Sequence, residues 1–119
     1  MNTLTASDLG ELLRALRRAW SIETSPQWSP HDPARGLGPV TALVFHDRFG
    51  GEILKTPVGD DWHFYNRVEG RLCDFAADQF AELPDYLNIP SNRDEALAGS
   101  APERYHALAG RVSKALTSN

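Results

Sequence analysis

The stretch from Gly36 to Phe80 constrains the fold most, because strong stops alternate in it with apolar runs. Gly38-Pro39 opens the run VTALVFHDRF, and Gly50-Gly51 closes it. Glycine is tolerated at a helix cap, and proline suits the first helical turn. Val40, Leu43 and Val44 form the buried side of a helix apolar enough to be central. Three further runs follow, Glu52–Pro57, Trp62–Val68 and Arg71–Phe75, parted only by Val58-Gly59-Asp60 and Glu69-Gly70. Connections this short predict an antiparallel meander.

Helices flank this unit. Leu9, Leu12, Leu13, Leu16 and Trp20 recur at spacings of three and four, which predicts a helix over Ser7–Trp20 capped by Ser7 or Thr5. Thr24–Gly38 holds three prolines and Trp28 and fits no period, so it reads as a long surface loop of the kind that borders sites. Asp78–Phe80 reads as a short turn or helix, and Leu83–Pro90 as irregular. Ser91-x-x-Asp94 can cap a short helix stopped by Gly99, and Ser100-x-x-Glu103 with Pro102 can cap the last one. That last helix carries the stripe Tyr105, Leu108, Ala109, Val112 and Leu116. The expected class is α+β, a central helix packed on a small antiparallel sheet, in one domain over residues 1–119.

Composition excludes several functions. With 12 basic and 16 acidic residues the net charge is −4, and the one basic cluster, Arg14, Arg17 and Arg18, fits the end of a helix better than a nucleic-acid stripe. No apolar run reaches the ~20 residues of a membrane span, and the N-terminus lacks the pattern of a secretory signal, so a cytoplasmic location is expected. A single cysteine excludes an internal disulfide and multi-cysteine zinc motifs, and the four histidines never fall at a ligand spacing. No metal or cofactor is expected. A small molecule, a peptide or a protein remains as partner.

The chemistry centres on His63 and Asp74. The short turn places their runs side by side, so imidazole and carboxylate can meet on one face. An aspartate beside a histidine fixes its tautomer, which makes two-thirds of a nucleophile–base–orienter arrangement. A nucleophile would belong at the start of the central helix, where thiol pKa is lowered and backbone N–H groups can receive an oxyanion. Cys73 cannot supply it, since alternation turns it away from Asp74. Thr41, one turn into the helix, points inward. His46 and Asp47 read as solvent-facing or terminal, His31 and Asp32 as turn residues, and His106 as exposed. Trp20, Trp28 and Trp62 read first as core anchors, with Trp28 a further candidate for a pocket wall.

From LLRALRRAWS to RYHALAGRV, and most densely in TALVF, GGEIL, WHFYN, DF and QF, the chain resembles the YunG family of small bacterial proteins. That family resembles a minimal papain-like cysteine-hydrolase arrangement, with Gly-Gln-Cys before the helix, a histidine in the HFYN-like strand and an aspartate in the next. The resemblance places His63 and Asp74 at the catalytic positions; Trp28, Leu37, Gly38 and Asn66 are the substrate-binding candidates. Where the pattern has Gln-Cys this chain has Leu37-Gly38. Ala76 stands for a threonine, and Gly99-Ser100 for Asp-Thr. Two functions follow as expectations. One is a nucleophile-less papain-like domain that binds a ligand in the residual cleft. The other is an enzyme in which His63, oriented by Asp74, serves as general base for cyclisation, condensation or isomerisation in a small-molecule biosynthetic pathway. A partner module of the immunity or toxin-associated kind is a third possibility without direct support in the sequence. A cysteine at position 38 is expected to be tolerated at a cost of roughly 1 kcal/mol or less, as at other cap positions.

Overall fold

A computed structural model of the chain describes residues 5–20, 38–77, 82–99 and 102–117. Helix α1 (Ala6–Ala19) starts at Thr5, whose hydroxyl accepts from Asp8 N while the Asp8 carboxylate accepts from Thr5 N. It turns Leu12, Ala15, Leu16 and Ala19 inward. Helix α2 (Gly38–Phe49) is buried at every residue from Val40 to Phe45, as its all-round apolar sequence requires.

Strands β1 (Glu52–Val58), β2 (Asp61–Val68), β3 (Arg71–Cys73) and β4 (Ile89–Pro90) form one antiparallel sheet in the order β3-β2-β1-β4. The turn from α2 into β1 needs Gly51, at φ 79°, because a Cβ there would lie 2.5 Å from the Arg67 carbonyl oxygen. Helices α3 (Arg93–Ala98) and α4 (Pro102–Thr117) complete the domain.

The core lies on both sides of α2. One cluster joins it to α1 and α4 through Leu16, Val40, Phe45, Leu108 and Val112. The other joins it to the sheet and α3 through Ala42, Leu43, Ile53, Phe64 and Ala96. Ladder partners share a face. Leu54 opposite Tyr65 and Thr56 opposite His63 therefore lie on the sheet face opposite to that of Ile53 and Phe64, and all four are buried. Residues 82–88 cross this second face. Thr56 Oγ1 donates to the Asp85 carbonyl and accepts from Leu87 N at 3.1 Å, and Asn88 N donates to Tyr65 Oη at 2.8 Å.

The α+β class and the central helix on an antiparallel sheet match the expectation. Four local readings need correction. The irregular stretch ends in a fourth strand, whose Ile89 and Pro90 pair with Lys55 and Leu54. β3 stops at Cys73, because Asp74 already forms a turn with its carbonyl bonded to Ala77 N. Asn92 caps α3, while Ser91 donates its hydroxyl to the Glu95 carboxylate. Trp62 is no core anchor: it is 47% exposed, with the Lys55 ammonium 4.3 Å above its ring. The turn expected over Asp78–Phe80 lies outside the described residues.

Candidate functional site

His63 is buried at 4% exposure on the face of β2 that residues 82–88, the strap, cross. Its Nε2 lies 2.6 Å from Asp74 Oδ2. A carboxylate can only accept, so Nε2 carries the proton and Nδ1 is the basic nitrogen in the neutral ring. Nδ1 turns toward the start of α2: a Cβ built on Gly38 would sit 2.8 Å from it. The pair and the helix start therefore meet, as strand order together with the family resemblance predicts.

Asp74 reaches this position because β3 ends one residue earlier. Its Oδ1 accepts from Ala76 N at 3.2 Å, and its Oδ2 also accepts from Tyr86 Oη at 2.7 Å. Tyr86 packs edge-on to Tyr65 at 4.9 Å, and Tyr65 stacks on the His63 ring at 6.0 Å. Burial pushes the Tyr86 phenol far above the ordinary tyrosine range, and its bond to Asp74 adds to this, so it remains a donor. Tyr65 is raised as well, mainly by burial.

The other candidates fall elsewhere. Asn66, three residues along β2 from His63, faces α2 and donates to the Ala42 carbonyl at 3.0 Å. The structure does not bring it beside the imidazole. Cys73 is buried in the core opposite Asn66, and burial raises its thiol pKa against a smaller lowering by Arg71. Thr41 is buried with no partner for its hydroxyl. His46 and Asp47, read as solvent-facing or terminal, lie near the end of α2, Asp47 exposed and His46 half-buried, and both hold Arg93: His46 Nδ1 accepts at 3.0 Å and Asp47 Oδ1 lies at 2.8 Å. His106 is exposed. Trp28, Leu37, His31 and Asp32 lie outside the described residues. Among the described residues no three His, Cys, Asp or Glu side chains gather as metal ligands, and no helix is long and apolar enough to cross a membrane.

Tyr86 is the site residue that sequence reasoning missed. Its one signal was an aromatic side chain in an aperiodic stretch between Pro84 and Pro90, where an exposed loop would not need one.

This fold, with a buried His–Asp pair on a sheet face near the start of a central helix, defines a small α+β domain built around a buried ion pair. The chain belongs to the YunG protein family, which it matches over residues 8–117. It is 41% identical over 103 residues to the uncharacterized protein YunG of Bacillus subtilis (strain 168), across 87% of this chain and 90% of that protein. No solved structure matches it.

Proposed function

We propose that this protein is an enzyme in which His63 acts as general base on a small molecule that brings its own nucleophile. Cyclisation, condensation and isomerisation are the reactions in its range. The observation that carries this reading is the buried 2.6 Å contact of Nε2 with Asp74, combined with Nδ1 turned to the side-chain-free start of α2. Burying two ionisable groups costs several kcal/mol of desolvation that apolar residues of the same size would avoid. Such a pair fits a role beyond packing.

In this reading Nδ1 takes a proton from a substrate C–H, N–H or O–H. Asp74 stabilises the imidazolium through Nε2, and the proton returns to the product. The enzyme forms no covalent bond. This chemistry needs no thiol at position 38, where a Cβ would already crowd Nδ1. Papain-like ancestry fits the order of Gly38, His63 and Asp74, and the proposed chemistry does not depend on it.

The probe is 5-nitrobenzisoxazole, whose ring opening needs only a positioned base. Turnover by the native protein above the buffer rate, falling ~100-fold or more in His63→Gln, supports the reading. Equal rates in the two proteins would overturn it. The second reading, a ligand-binding domain without chemistry, draws on Gly38 standing where the resemblance expects a cysteine. It would gain from saturable binding of the same probe without turnover.

A further inference from the structure

The strap of residues 82–88 does more than cover the sheet. It delivers one hydroxyl to the oxygen that orients the base. Asp74 Oδ2 receives two donors, His63 Nε2–H at 2.6 Å and Tyr86 O–H at 2.7 Å, while Oδ1 receives Ala76 N–H at 3.2 Å. These donors come from β2, from the strap and from the turn after β3, so the carboxylate is held from three directions. The Tyr86 ring is fixed as well. It meets Tyr65 edge-on, and the neighbouring Asn88 is tied to the Tyr65 hydroxyl through both its backbone N–H and its side-chain oxygen, at 2.8 Å each. Thr56 anchors the strap on either side of Tyr86, at Asp85 and Leu87.

We propose that Tyr86 is a positioning residue: its hydroxyl locks the Asp74 carboxylate in the one rotation that keeps the His63 proton on Nε2 and leaves Nδ1 as the base. The proposal rests on the reading of His63 as a base only for its consequence in catalysis. Without the phenol, among the described residues Oδ2 keeps only the imidazole as donor and Oδ1 only the Ala76 N–H. The carboxylate is then free to turn, and with it goes the preference for one imidazole tautomer. A purely structural Tyr86 would act through its ring, by packing on Tyr65. A positioning Tyr86 acts through its oxygen.

Tyr86→Phe keeps the ring and removes the oxygen. Long-range proton–nitrogen correlation of the 15N-labelled protein reports the tautomer of His63 directly. The native protein should show one tautomer with the proton on Nε2, and Tyr86→Phe should show a mixture. Turnover of 5-nitrobenzisoxazole should fall about tenfold in kcat, the size of one lost hydrogen bond, with little change in KM. Val112→Ala, in the core between α1 and α4, controls for lost stability and should leave the tautomer as in the native protein. A native protein that already shows mixed tautomers would overturn the proposal. So would a Tyr86→Phe variant with the Nε2–H tautomer intact. If the native protein turns over no probe, the reading of His63 as a base falls, while the tautomer comparison still decides the role of Tyr86.

Discussion

A methyl group at position 38 has no room. Its carbon would lie 2.8 Å from His63 Nδ1 and 3.2 Å from Cε1, and the ring cannot swing aside without leaving Asp74. The expectation that a cysteine would be tolerated there for roughly 1 kcal/mol or less treated residue 38 as an open cap. The structure makes it a contact. Gly38→Ala and Gly38→Cys should each cost about 1–3 kcal/mol, as overpacking does, and should lengthen the His63–Asp74 bond. Urea unfolding reads the first effect and the His63 side-chain nitrogen shifts the second. A stability unchanged within error in both variants would show that the ring yields freely. Cys73 gives the opposite case, a thiol held away from chemistry. Burial raises its pKa, so iodoacetamide should label the folded protein slowly at neutral pH and faster only above the ordinary thiol range. Rapid labelling of the folded chain at pH 7 would contradict its placement in the core.

At the scale of elements, what the sequence showed and what it hid divide by the range of the interaction. α1, α2 and the β1–β2–β3 meander were legible because period and turn residues are local signals: Leu12 and Leu16 on one stripe, Gly59 and Gly70 in the turns. The approach of His63 to Asp74 was legible because a two-residue turn leaves little choice of neighbour. β4 was not, since two residues, one of them proline, carry no period, and their strand identity comes only from pairing with β1. Nor was the strap. Thr56 and Tyr65 read as ordinary strand residues, and their partners lie 31 and 23 positions away. Thr56→Val tests that element. It keeps the shape of a fully buried side chain but deprives Asp85 O and Leu87 N of their partner, so it should cost about 1–3 kcal/mol. Amide exchange should quicken at residues 85–88 and remain slow in α2. Uniform quickening across α2 and the strap would mean that the strap has no independent opening.

For the molecule as a whole, the three tyrosines make stability depend on alkaline pH in a direction that can be worked out. Tyr65, Tyr86 and Tyr105 all have folded pKa values above the ordinary 10.0, each first because of burial. Tyr86 is raised further by Asp74, and Tyr105 by Asp47 against a smaller lowering by Arg93. Above pH 10.0 the unfolded chain therefore loses phenolic protons that the folded chain keeps. The unfolded state binds fewer protons there, so stability must fall as pH rises. The contribution is complete below pH 10.0 and disappears as pH climbs through the raised folded values. On the acid side the sign reverses. Glu52 and Glu95 are lowered, first by their hydrogen bonds to Arg67 and Lys55, so their contribution is present above 4.5 and fades as pH drops below it. Both lie at the surface where solvent screens them, which makes the alkaline limb the steeper one. Urea midpoints should thus be level from pH 6 to 9, as an order-of-magnitude window, and decline beyond it. Lysine and arginine also titrate at high pH, so the decisive comparison is with Tyr86→Phe. The stability gap between that variant and the native protein should be widest near neutrality and should narrow as pH passes 10.0. A gap that stays constant to pH 11 would mean that the Tyr86 phenol ionises alike in the folded and unfolded chains, which its burial against Asp74 forbids.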